Sequence, residues 1–118
     1  MKKTMTRALK ISACYIVKNE AENLVKSIKS LKNQVNEIVV VDTGSTDNTM
    51  TVARKLGAKV YSFPWQDDFS KARNFALSKA KGDWLVLLDA DEYFTANTAG
   101  NIRQIIHQAQ QADALLIQ

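Results

Sequence analysis

Short apolar runs rich in β-branched residues alternate with amphipathic segments along the chain, and this alternation is the tightest constraint on its fold. A strand that is apolar throughout must be covered on both faces, and helices linking successive parallel strands provide that cover. Ile38-Val39-Val40-Val41 is the plainest such run. The pattern predicts βαβ units, an α/β class and a mainly parallel sheet with helices on both faces.

Lys10 to Val17 reads as the first strand. Asn19 then takes an N-cap position with Glu22 at the capping-box position, and Leu24, Ile28 and Leu31 recur at helical spacing with Val25 beside them. After the second strand, Ser45 or Thr46 caps a helix whose inner face is Val52, Ala53 and Leu56, with Gly57 at C′. Lys59 to Phe63 is the third strand, Trp65 to Phe69 a loop, and Asp68 or Ser70 the cap of a third helix. Ala72, Ala76 and Ala80 share one face of that helix, and Gly82 ends it. Trp84 to Leu88 is the fourth strand. Thr98 caps a fourth helix with Ile102, Ile105, Ile106 and Ala109 turned inward, and Ala114-Leu115-Leu116-Ile117 begins a fifth strand. A terminus one residue later reads as a truncation, with a C-terminal edge strand as the alternative.

The chain has 118 residues, 46% of them apolar. A chain of this size can bury roughly two thirds of its unfolded surface, enough for one core. The expected organisation is a basic tail over 1–9 and a single domain over 10–118. Lys2, Lys3, Arg7 and Lys10 supply four of the 16 basic residues, leaving 12 against 12 acids, so the net charge of +4 belongs to the first ten residues. That distribution argues for a solvated terminus and against a nucleic-acid partner. No apolar run approaches the roughly 18 residues a membrane helix needs. The opening MKKTMTRALKISAC mimics a lipoprotein signal, but Arg7 and Lys10 interrupt its apolar stretch. Cys14 is therefore read as a core residue, and the expected compartment is the cytoplasm. One cysteine and one histidine exclude a disulfide framework and the usual structural zinc sites.

In open α/β sheets ligands bind beyond the carboxyl ends of the strands. Those ends carry Lys18-Asn19-Glu20, Asp42-Thr43-Gly44-Ser45 and Asp89-Ala90-Asp91-Glu92. Acids gathered this closely repel one another, and a divalent cation is one remedy. Asp89 and Asp91, two apart in extended chain, point the same way and suit Mg²⁺ or Mn²⁺, whose shell substrate phosphates complete. The structural alternative makes these acids caps of Thr95 or a nearby helix. For Asp42 the alternative is an Asx-turn leading to Gly44, which does not exclude a ligand. Arg73 is placed to reach a phosphate or a carboxylate of the cluster, with a surface ion pair as the alternative. Trp65, Phe69 and Phe75 are read as core or loop packing, and His107 is given no role. The four glycines, at 44, 57, 82 and 100, are scattered, and neither a dinucleotide fingerprint nor a P-loop is present. A phosphate would then be held by a metal, an arginine or helix N-termini.

Ile16-Val17-Lys18-Asn19-Glu20, Val41-Asp42-Thr43-Gly44-Ser45-Thr46-Asp47, Lys71-Ala72-Arg73-Asn74 and Leu88-Asp89-Ala90-Asp91-Glu92 stand in this order and spacing. In this the chain resembles the family 2 glycosyltransferases, over roughly Ile11 to Phe94. The resemblance implies a GT-A fold, a Rossmann-like sheet that binds a nucleotide-diphosphate sugar, UDP-linked, with Mn²⁺ or Mg²⁺. By position it implies that Ile16, Val17, Asn19 and Glu20 hold base and ribose together with Asp42, the acceptor for a uracil-type N–H. It places Arg73 near the diphosphate or sugar, Asp89 facing the ribose and Asp91 on the metal. Glu92 follows the D-x-D in one subset of the family and receives no role.

The implied reaction breaks the bond between the anomeric carbon and a diphosphate oxygen, where a cation acts as a Lewis acid. The acceptor hydroxyl needs a general base, which inverting members take from the second half of the domain. No residue here matches that base, so it is expected beyond Gln118, and the isolated chain is expected to be inactive. A sheet face meant for the missing half would favour homo-oligomers. Two other classes compete. One is a non-catalytic nucleotide-sugar-binding or assembly module. The other is a different metal-dependent nucleotide enzyme. A haloacid-type phosphatase carries its D-x-D after the first strand, with Thr or Val two residues beyond it; here the motif follows the fourth, and that position holds Tyr93. A nucleotidyltransferase would place a glycine-rich loop where this chain has Lys18-Asn19-Glu20.

Overall fold

The computed structural model describes residues 10–31 and 34–91. In chain order the elements are β1 (Ile11–Val17), α1 (Ala21–Leu31), β2 (Glu37–Asp42), α2 (Thr49–Lys55), β3 (Lys59–Ser62), α3 (Phe69–Lys79) and β4 (Trp84–Leu88). The four strands form one sheet in the order β3-β2-β1-β4, and every pairing is parallel. The expected α/β class and parallel sheet are both present. The fourth helix, the fifth strand, Glu92 and His107 lie outside the described residues.

The sheet is covered on both faces, as its uninterrupted apolar strands require. Alternate residues of a strand point to opposite faces, so each strand feeds two cores. Ala13, Tyr15, Val17, Ile38 and Val40 pack on one face with Leu24, Ile28 and Leu31 of α1 and Ala53 of α2. Cys14, Val39 and Val41 pack on the other with Ala76 of α3, bordered by Ile16, Tyr61, Phe63 and Phe75. This split follows from the right-handedness of parallel crossovers: the chain winds outward from β1 to β3, then returns past β1 to β4, so α3 covers the opposite face. β1, the central strand, is fully buried from Ile11 to Tyr15. The Tyr15 hydroxyl is satisfied by the Ser27 hydroxyl on α1 at 2.5 Å. Burial pushes the Cys14 thiol up to about 12, with the Glu37 charge adding to it, so this cysteine is an inert core group.

Several local expectations are corrected. The first helix begins at Ala21, after Glu20, whose carbonyl accepts from the Leu24 N–H at 2.8 Å; Asn19 stands one residue outside it. The second helix begins at Thr49, four residues past Ser45, and its N-cap Asn48 makes no side-chain capping bond. Neither Ser45 nor Thr46 caps it, because both are engaged by the neighbouring loop. Gly82 does not terminate α3, which ends at Lys79 with Ala80 as C-cap. Gly82 lies against β1 instead, where a Cβ would come within 2.6 Å of Ser12 Oγ and 2.9 Å of the Lys10 carbonyl oxygen. Asp68 caps α3 as expected, its carboxylate accepting from the Ser70 N–H at 2.9 Å. Gly57 follows α2 at φ +93°, the left-handed backbone of a C′ glycine. Phe75 is half-buried and stacks on Phe63 at 4.6 Å, but Trp65 and Phe69 remain 47% and 49% exposed, so they are not core residues.

The amino end of the sheet is tied by a polar network. Glu37 accepts from Ser12 Oγ at 2.6 Å, from the Lys81 N–H at 2.8 Å and from Lys59 Nζ at 2.8 Å. Ser12 Oγ in turn accepts from the Gly82 N–H at 2.8 Å. This network braces the end opposite the sequence motifs.

Candidate functional site

Because all four strands are parallel, the loops after β1, β2 and β4 leave the same edge of the sheet. The strand order reverses at β1, between β2 and β4, the arrangement that opens a crevice for ligands in such sheets. Asp42 closes β2, and Asp91 lies three residues past β4. Both are therefore on the carboxyl edge, on strands two spacings, roughly 10 Å, apart.

Asp42 continues the apolar face of β2 and is buried, with only 1% exposure. Its Oδ1 accepts from the Gly44 N–H at 2.9 Å and the Ser45 N–H at 2.7 Å, the expected Asx-turn. Its Oδ2 is buried and has no hydrogen-bond partner among the described residues. A buried carboxylate oxygen without a partner is costly, so the folded chain carries an acceptor still to be used.

The loop after β1 is laced to the loop after β2. Val17 O accepts from the Thr43 N–H at 2.9 Å and from Thr43 Oγ1 at 3.2 Å. Asn19 adopts φ +53°, a conformation that asparagine tolerates better than most residues. Its backbone N–H donates to Ser45 Oγ at 2.7 Å. Its Oδ1 accepts from the Thr46 N–H at 2.8 Å and the Asp47 N–H at 3.2 Å. The Glu20 N–H donates to Thr49 Oγ1 at 3.0 Å. The Asp47 carboxylate accepts from the Thr49 hydroxyl and from the Thr49 N–H, the hydroxyl bond being the larger cause of its carboxyl lying below the usual range. Beside this lacing lies a groove of about 380 Å³ bordered by Asn19, Glu20, Asn23 and Asp47.

The other candidates are placed less tightly. Ile16 and Val17 turn their side chains into the two cores, so what they offer a ligand is backbone. Arg73 is exposed on the second turn of α3 and makes no ion pair among the described residues. Asp89 and Asp91 are both exposed. Ala90 and Asp91 form a turn, so the extended geometry expected to align the two carboxylates is absent. Among the described residues no three His, Cys, Asp or Glu side chains gather into a metal-holding group. A hard divalent ion that keeps several waters and takes substrate oxygens still fits one such carboxylate. Sequence reasoning missed the inter-loop roles of Ser45, Asp47 and Thr49. The signal was the density of short polar side chains from Thr43 to Thr49, which compete for backbone groups.

The sequence pattern of glycosyl transferase family 2 matches residues 12–115. A TPR repeat-containing protein of Synechococcus elongatus is 44% identical over 100 residues, covering 85% of this chain and 25% of that protein. An uncharacterized glycosyltransferase of Rickettsia felis is 43% identical over 96 residues, covering 81% of this chain and 34% of that protein. Among solved structures, Staphylococcus aureus TarS (residues 1–349) superposes with a TM-score of 0.71 at 28% identity, covering 86% of this chain and 33% of that one. Glucosyl-3-phosphoglycerate synthase of Mycobacterium tuberculosis, crystallised with Mn²⁺, uridine diphosphate and glucosyl-3-phosphoglycerate, superposes with a TM-score of 0.62 at 27% identity, covering 72% of this chain and 36% of that one. The chain thus spans between 25% and 36% of the length of these proteins.

Proposed function

Since the chain belongs to glycosyl transferase family 2, we propose that it forms the donor-binding part of an enzyme that transfers a sugar from a UDP-linked donor to an acceptor hydroxyl. The observation that carries this reading is the buried, unpartnered Oδ2 of Asp42 at the carboxyl edge of the sheet. A carboxylate oxygen in that position accepts an imide N–H of the uracil type, and the crystallised relative with bound uridine diphosphate supports that choice of base. The groove beside the laced loops gives the ribose a polar wall in Glu20 and Asn23.

Arg73 supplies a guanidinium for the diphosphate oxygens, on which negative charge grows as the glycosidic bond breaks. Asp89 would face the ribose, and Asp91 would hold a divalent cation, Mn²⁺ or Mg²⁺, of the kind that keeps waters and takes substrate oxygens. When bound, that ion supplies Lewis-acid stabilisation of the leaving group. The residues assigned here serve donor binding, and none of them is the general base that an acceptor hydroxyl needs. A lone, inert Cys14 fits a cytoplasmic setting. Among the described residues no helix is long and apolar enough to cross a membrane.

Titration calorimetry of the chain with uridine diphosphate and Mn²⁺ tests the reading. Saturable heat is expected, with a rise in melting temperature equivalent to about 2.7 kcal/mol at a hundredfold excess over Kd. Absence of heat with uridine, adenosine and guanosine diphosphates alike would sink it.

A further inference from the structure

We infer that Asn19 is a positioning residue for Asp42, holding the loop that sets the Asp42 carboxylate, and not itself a contact of the nucleotide. The inference rests on the donor-binding reading and deepens it. Asn19 reaches the β2 loop through four hydrogen bonds, three accepted by its side-chain oxygen and one donated by its backbone. They fall on Ser45, Thr46 and Asp47 in succession. Ser45 joins the two halves of the device. Its hydroxyl accepts from the Asn19 N–H, and its own N–H donates to Asp42 Oδ1. With the Gly44 N–H, that bond occupies one carboxylate oxygen and leaves the other with no donor among the described residues. The geometry thus runs from Asn19 through Ser45 to the rotamer of Asp42.

Residue choice at position 19 follows from two demands. The backbone needs φ +53°, which Gly, Asn and Asp adopt most readily. The side chain needs an acceptor oxygen one carbon from Cβ, which only Asn and Asp supply. Glycine meets the first demand alone, so Asn19→Gly removes the lacing without straining the backbone. Asn19→Asp meets both and lacks only the amide NH₂, the one group through which Asn19 has donor capacity left for a ligand.

The test measures uridine diphosphate affinity, with Mn²⁺ and at about 0.5 M salt to screen the added charge, for the full chain and both variants. Amide hydrogen exchange is followed at Gly44, Ser45, Thr46 and Asp47. Asn19→Gly should weaken the nucleotide by about tenfold or more, the equivalent of one neutral hydrogen bond, and speed exchange at all four amides. Asn19→Asp should restore slow exchange and keep affinity within about threefold of the parent chain. Unchanged affinity or unchanged Gly44 and Ser45 exchange in Asn19→Gly would overturn the inference. So would an Asn19→Asp chain that exchanges slowly yet has lost the nucleotide, since Asn19 would then be a direct contact. If the parent chain binds no nucleotide, the donor-binding reading fails instead, and exchange at Gly44 and Ser45 still decides whether Asn19 sets the Asp42 turn.

Discussion

Ser12 and Glu37 are register partners on β1 and β2, and the Ser12 hydroxyl donates to the Glu37 carboxylate at 2.6 Å. Partial burial works to raise this carboxyl, but hydrogen bonds from Lys59, Ser12 and Lys81 outweigh it and leave it below its ordinary 4.5. A carboxyl lowered in the folded state stabilises the fold above its unfolded value, and that contribution disappears as pH falls through the lowered value. The parent chain should therefore be more stable than Glu37→Gln at neutral pH, with the gap closing below about pH 4.5. Urea midpoints at stepped pH values check this, and a gap that persists to pH 2 would contradict it.

Gly82 should tolerate no side chain. Alanine there meets Ser12 Oγ, Ser12 N and the Lys10 carbonyl oxygen at 2.6 to 2.9 Å, two of which are backbone atoms that cannot swing aside. Gly82→Ala should cost about 1–3 kcal/mol in chemical denaturation, with β4 displaced from β1. Gly57→Ala is the control: its Cβ meets nothing within 4 Å, and its cost, about 1 kcal/mol, is that of a left-handed backbone alone.

Asp42→Asn keeps an oxygen for the Gly44 and Ser45 amides and turns the buried Oδ2 from acceptor to donor. The fold should persist, and uridine diphosphate affinity should fall by about ten- to a hundredfold, as for loss of a hydrogen bond to a charged group. Calorimetry alongside circular dichroism separates the two effects. Affinity equal to the parent would remove Asp42 from the base-binding role.

Asp91→Asn should leave melting temperature unchanged without nucleotide, since the side chain is exposed. It should abolish the dependence of nucleotide affinity on Mn²⁺. An unaltered Mn²⁺ dependence would move the metal elsewhere.

Much of the fold was legible because strand and helix periodicities differ and the apolar runs are unbroken. Trp84 to Leu88 could be read directly, and the cap of α3 could be narrowed to Asp68 or Ser70. What stayed hidden involves partners far apart in sequence. Asn19 before a helix satisfies the local rules for a cap, and only the arrival of residues 45–47 beside it diverts its oxygen. Gly82 sits where a helix-ending glycine belongs, yet its reason is β1, 70 positions earlier. The exposure of Trp65 and Phe69 was unreadable for a related cause: nothing local distinguishes an aromatic that packs from one that does not. The carboxyl-edge location of Asp42 and Asp91 followed from parallel topology, whereas the rotamer of Asp42 required the loop across from it.

The central place of β1 has a kinetic consequence. Among the described strands it is the first to be synthesised, yet one of its two neighbours is the last, and the Lys10–Asp83 contact at their shared end spans 73 positions. Closing so long a loop precedes any reward from the pairing, which slows assembly. Until residue 84 has been synthesised, one whole flank of an apolar strand is open to any passing β-edge, so aggregation during translation is the vulnerability this winding order builds in.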